Sequence, residues 1–173
     1  PVKGSIDFRT NPDLRGLSIR QILHRLVDYA ATVGLKIIFD HHSDDGCCGQ
    51  QPNGLWFDRG EGSNDTDGGG HTGTVSAAQF RHDWLRFVHD YAGNATVIGF
   101  DLDNEPTSAG DINWGKGGPT DIKAMYQSVG NAILGVDPGA LIIVEGPQNY
   151  QAPAAESGMA DGVPAPEGNL TGV

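Results

Sequence analysis

Thr96-Val97-Ile98-Gly99-Phe100 leads directly into Asp101-Leu102-Asp103-Asn104-Glu105-Pro106. The first half is a short, continuous apolar run of the kind that fills a strand covered on both faces. The second half crowds carboxylates at the strand exit. Pro106 ends it, because proline has no N–H for a sheet ladder and pushes the preceding residue, Glu105, toward extended geometry. A strand that is aliphatic throughout and acidic only where it leaves the sheet predicts a parallel, helix-covered sheet with its chemistry at one rim.

The same grammar recurs on both sides. Ile19, Ile22, Leu23, Leu26, Val27, Ala30 and Val33 fall at helical spacing, with Ser18 as N-cap and Gly34 as the stop. Leu35 to Phe39 then reads as a buried strand ending in Asp40-His41-His42. Ser76 and Gln79 make a capping-box pattern, after which Phe80, Trp84, Phe87, Val88 and Tyr91 form one face of a second helix up to Gly93. Ile122, Met125, Tyr126, Val129, Ile133 and Leu134 define a third helix with Gly130 as a weak point, and Leu141 to Val144 a third strand ending at Glu145.

Helix–strand alternation of this kind is the pattern of an α/β fold with a parallel sheet. The links from helix to strand are short, whereas those from strand to helix, above all Ser43 to Val75, are long and hold most of the carboxylates and histidines. That asymmetry places function at the carboxyl ends of the strands, as in a (β/α)8 barrel. The segment from Gln151 to Val173, rich in Ala, Pro and Gly, reads as one more such loop cut short, and the chain as a piece of a longer polypeptide.

Charge narrows the partners. The 173 residues carry a formal charge of −11, and after residue 36 five basic residues face nineteen acidic ones. Such a surface repels phosphate backbones, so nucleic acid is excluded as a partner, and no apolar run approaches the roughly 20 residues of a membrane span. The two cysteines, Cys47 and Cys48, are adjacent and form no disulfide framework by themselves.

Among the candidate site residues, Asp103-Asn104-Glu105 comes first. A carboxylic acid at a strand exit can donate a proton while the neighbouring amide holds a substrate hydroxyl; the plainer alternative is a capping or solvated carboxylate. In Asp40-His41-His42, strand alternation puts Asp40 and His42 on one face and His41 on the other, so only His42 should look into the site. Trp56, Phe57 and Trp114 lie in loops, where an exposed ring can stack on a sugar face, while Trp84 sits at core spacing. His41, His42, Asp44, Asp45, Cys47 and Cys48 are all possible metal ligands, yet their adjacent pairs lack a zinc spacing, and the Asp65-Thr66-Asp67-Gly68 run lacks the glutamate of a calcium loop. No metal and no cofactor are expected.

At these residues the sequence resembles glycoside hydrolase family five, in particular the bacterial endo-β-1,4-glucanases of the actinobacterial type. Val97 to Pro106 is similar to that family's fourth strand with its Asn-Glu-Pro signature, Leu35 to His42 to its third strand with the site histidine, and Leu141 to Gly146 to its fifth. Asn11 to Ser18 and Gly168-Asn169-Leu170 also have counterparts, so the likeness covers nearly the whole chain.

The resemblance implies a partial (β/α)8 TIM barrel of about three βα units within residues 1–173, and a secreted, monomeric, retaining endoglucanase acting on β-glucan. Glu105 would be the acid/base, Asn104 the amide on the sugar 2-hydroxyl, and His42 the histidine where the bond breaks, with Trp56 and Trp114 against the sugar. One of Cys47 and Cys48 would pair with a cysteine outside the chain. The family's nucleophile, a glutamate at the end of the seventh strand, and its first two strands have no counterpart here. The chain alone is therefore expected to be inactive and poorly stable. Glu145, the next strand's terminal carboxylate, has no nucleophilic role in the family motif. The alternatives are the same fold acting on mannan or xylan, and a non-catalytic carbohydrate- or metal-binding module.

Overall fold

The computed structural model describes residues 6–42, 55–57, 75–106 and 112–146. After a 3-10 turn at Pro12–Leu14, the elements run α1 (Ile19–Thr32), β1 (Ile37–Asp40), α2 (Ala77–His89), β2 (Val97–Asp101), α3 (Ile122–Val136) and β3 (Leu141–Ile143). The strands form one parallel sheet in the order β1-β2-β3. Consecutive parallel strands joined through helices are the expected α/β alternation.

Local sequence explains where the helices start. Ser18 accepts the Gln21 N–H while Gln21 reaches back to the Ser18 N–H, a full capping box. The capping box expected at Ser76 forms only by half. The serine accepts the Gln79 N–H, but the Gln79 amide turns along the helix to Asp83 at 2.8 Å. A carboxylate one turn on is the stronger acceptor. Asp121 caps α3, and its buried carboxylate also takes the N–H groups of Gly115 and Gly117, tying down the loop that enters the helix.

The strands were expected to be buried throughout, and only β2 comes close, with Val97, Gly99 and Phe100 buried and Ile98 and Asp101 half-buried. Phe100 is fully buried and Val97 nearly so, whereas Ile38 on β1 is 46% exposed and Leu141 on β3 57%. The reason is position: β2 lies between the other two, and they are the edges of the described sheet. The helices divide likewise. α3 buries Ile122, Met125, Tyr126, Val129 and Ile133, while α1 leaves Leu26 and Val33 exposed from the face expected to be apolar and covered, and Tyr29 beside them.

The core lies between the sheet and α2 and α3, with Trp84, Val88, Tyr91, Phe100, Leu102 and Tyr126 at its centre. Each large apolar side chain buried there contributes about 1.5–3 kcal/mol. Gly99 is required where β2 passes β3: a Cβ there would meet the Leu141 carbonyl oxygen at 2.8 Å. Cys47, Cys48, the Asp65–Gly68 run and the segment from Gln151 to Val173 lie outside the described residues.

Candidate active site

The ladder of hydrogen bonds continues past the strands and gathers their exits into one rim. Asp40 of β1 is the register partner of Asp101 of β2, which in turn faces Ile143 of β3. Beyond them the His41 N–H donates to Asp101 O, the Asn104 N–H to His41 O, and the Leu102 N–H to Ile143 O, each at 3.1 Å. His41 and His42, Asp103 to Glu105, and Glu145 thus come together although they are distant in sequence.

The rim has an inner and an outer layer. In the inner one, Asp103 is buried at 5% exposure, with Oδ1 3.4 Å from His41 Nδ1. The His41 ring stands edge-on to Phe80 at 5.0 Å and lies 6.5 Å from Trp84. Burial raises the Asp103 carboxyl above its ordinary range, and the bond to His41 partly opposes this. Trp84 Nε1 donates to Leu102 O, and the buried Tyr126 hydroxyl donates to Glu145 O at 2.9 Å, also lying 3.4 Å from Asp103 O. Burial keeps the Tyr126 phenol well above its usual pKa, so it remains a donor. Asp101 is pushed up to about 7, first by burial and then by the charges of Glu145 and Asp40.

The outer layer faces solvent. His42 Nδ1 lies 2.7 Å from Asp40 Oδ2, on the side of the strand away from His41, and its side chain is 66% exposed. Asn104 is half-buried and Glu105 is exposed.

Glu105 departs from expectation in its backbone. Pro106 was expected to hold it extended, but its φ is +47°, and among the described residues no other non-glycine has a positive φ. Such a conformation costs on the order of 1–3 kcal/mol and persists only where the surroundings enforce it. Here the Glu105 N–H points at Glu145 and donates to its Oε2 at 2.8 Å.

The loop tryptophans differ from each other, and Trp56 differs from the exposed ring expected. Trp56 is buried, at 4% exposure, with its ring in edge contact with Phe57 at 5.3 Å, so it is part of the core and presents no open face. The apolar company of Leu55 and Phe57 carries it inward. Trp114 is half-buried, with its ring 6.2 Å from Tyr126 and its Nε1 enclosed; the Asp121-tied loop turns it toward the core. Among the described residues no group of three His, Cys, Asp or Glu side chains could hold a metal ion. His41 and His42, which a metal would have had to share, bond to different carboxylates instead.

Asp101, Tyr126 and Glu145 are the supports that residue-by-residue reading did not assign. Tyr126 looked like any core position of an amphipathic helix; only its strand-end partners reveal the hydroxyl's task.

Fold and rim together define part of a (β/α)8 barrel whose polar groups sit at the carboxyl ends of its strands. The family model described as Cellulase (glycosyl hydrolase family 5) matches residues 5–171, and the chain belongs to that family. It is 37% identical over 171 residues to an endoglucanase of Paenibacillus polymyxa, covering 98% of this chain and 36% of that protein. To the major extracellular endoglucanase of Xanthomonas campestris pv. campestris it is 36% identical over 144 residues, covering 82% of this chain and 26% of that protein.

Solved structures agree. The catalytic domain of that Xanthomonas enzyme superposes with a TM-score of 0.67 at 31% identity, over 84% of this chain and 37% of its own. An endocellulase of Pyrococcus horikoshii, solved as a tyrosine-to-phenylalanine variant with cellotetraose, superposes with a TM-score of 0.69 at 31% identity, over 91% of this chain and 40% of its own. The chain therefore spans between a quarter and two fifths of the length of these relatives.

Proposed function

We propose that this chain forms the acid/base half of the active site of a retaining endo-acting β-1,4-glucanase whose remaining barrel units, including the nucleophile, lie outside it. The observation that carries this reading is the placement of Glu105. It is an exposed carboxyl group beside Asn104, held in a left-handed turn at the rim where barrel enzymes do their chemistry. The names of the relatives, endoglucanases and an endocellulase that binds cellotetraose, support a β-glucan substrate.

In this mechanism the Glu105 carboxyl gives its proton to the glycosidic oxygen as the bond from that oxygen to the anomeric carbon breaks, and the nucleophile outside the chain forms a glycosyl ester. The Glu105 carboxylate then takes a proton from water as the water oxygen attacks the anomeric carbon and the ester bond breaks. Asn104 holds the 2-hydroxyl, and His42, oriented through Nδ1 by Asp40, bonds the sugar at the point of cleavage. No cofactor takes part, and the enzyme works outside the cell as a monomer.

The isolated 173-residue chain is inactive in this account, since one carboxylate of the pair is absent and apolar Leu26, Tyr29 and Ile38 stand exposed. Two measurements on the enzyme that carries the chain test the reading. Proton NMR of the first-formed sugar should show the β-anomer, and initial rates should be highest on β-glucan among glucan, mannan and xylan. An α-anomer would remove the retaining mechanism, and faster mannan or xylan cleavage would change the substrate.

A further inference from the structure

We propose that Glu145 is the positioning residue for Glu105: its carboxylate accepts the Glu105 backbone N–H and so maintains the left-handed turn that presents the acid to the substrate. This rests on the acid/base reading of Glu105 given above.

The turn lacks a local cause. Glycine, which adopts positive φ freely, is absent at 105, and the following proline disfavours a helical backbone rather than imposing a left-handed one. The described group that meets the Glu105 N–H is Glu145 Oε2, at 2.8 Å, reaching across from the end of the neighbouring strand. Glu145 is itself anchored, since its carbonyl oxygen accepts from the buried Tyr126 hydroxyl on α3. The titratable groups that feel its charge are Asp101, Asp103 and Tyr126. Burial and then the charges of Glu145 and Asp40 push the neighbouring Asp101 carboxyl up to about 7. A charged acceptor makes a backbone hydrogen bond roughly twice as strong as a neutral one. With Oε2 committed in this way, Glu145 supports the acid.

The test compares two substrates of the enzyme that carries the chain: an aryl cellobioside with an activated leaving group, whose departure needs little protonation, and a cello-oligosaccharide, whose leaving group needs the acid. Glu145→Leu should lower kcat on the oligosaccharide by about 10–10²-fold with KM little changed, the scale expected when a reacting group is misplaced by about 1 Å. The activated substrate should lose less than about threefold in its glycosylation rate by the same reasoning. Glu145→Gln keeps an acceptor oxygen and should restore the oligosaccharide rate to within about fivefold of the parent, since a neutral bond replaces a charged one.

Equal losses on both substrates, or a Gln variant as impaired as the Leu variant, would overturn the proposal; the second is also what a nucleophilic Glu145 would give. If Glu145→Leu does not fold, as judged by thermal unfolding, Glu145→Asp makes the same comparison, because its shorter side chain withdraws the acceptor while keeping the charge. Glu105→Gln, run alongside, separates the two claims. Without a leaving-group dependence in that variant the acid reading itself fails; with it, but with none in Glu145→Leu, only the positioning role fails.

Discussion

β1 and β2 each leave the sheet through a polar triplet, Asp40-His41-His42 and Asp103-Asn104-Glu105, and in each the side chains divide between two environments. The inward members, His41 and Asp103, turn toward one another, and His41 packs on the aromatic face of α2. The outward members, His42 and Glu105, reach solvent, each tied by a carboxylate: Asp40 through the imidazole, Glu145 through the backbone N–H. Histidine and carboxylate thus appear in both layers. Residue type does not separate chemistry from structure here; burial does.

Substitutions in the two layers should have opposite signatures. The largest expected effect is in the outer layer: Glu105→Gln should lower kcat on β-glucan by about 10²–10⁴-fold, the range of general acid–base catalysis, with the melting temperature nearly unchanged because the side chain is exposed. Trp56→Ala sharpens the contrast from inside. It should cost about 3–5 kcal/mol of unfolding free energy, as for large aromatic truncations, and leave KM for oligosaccharide little altered in material that stays folded. A large rise in KM without loss of stability would return Trp56 to the binding surface.

The histidine pair is the next rung. His41→Ala should destabilise by about 1–3 kcal/mol through its lost bond to Asp103 and its contact with Phe80. His42→Ala should instead depress activity at nearly constant stability. Paired chemical denaturation and rate measurements check both, and the reverse pattern would exchange the layers.

The smallest expected effect is in the pH dependence of stability. Asp101 binds its proton more tightly folded, at about 7, than unfolded, near 3.8. Its contribution is therefore fully present below the unfolded value and is lost as pH rises through about 7. Partial exposure and solvent screening keep it modest. Asp101→Asn should raise the melting temperature at pH 8 by about 2–4 °C and change it little in acid, flattening the profile in a thermal scan.

Much of this architecture was legible from periodicity. The three helices and three strands lie where apolar spacing predicts them, with shifts of one or two residues at the strand ends and α2 ending at His89, short of the expected Gly93. The parting of His41 from His42 follows from strand alternation alone. What sequence did not disclose is tertiary. Ile38 and Leu141 read as buried because an aliphatic run carries no mark of whether its strand lies at an edge. Trp56 read as an exposed ring because its loop is polar on both sides, while Leu55 and Phe57 were enough to draw it into the core. The turn at Glu105 depends on a carboxylate from the next strand, which no local rule about the residue before proline could supply.

The central claim is that Glu105, and not a buried neighbour, protonates the departing sugar. The most direct measurement is the glycosylation rate of the Glu105→Gln enzyme on a series of aryl β-cellobiosides with leaving groups of increasing basicity. The account predicts rates near those of the parent for the most acidic phenols and a fall that steepens with basicity, because the missing proton matters only to a poor leaving group. A uniform loss across the series would contradict it, and would place Glu105 in binding or folding instead of proton transfer.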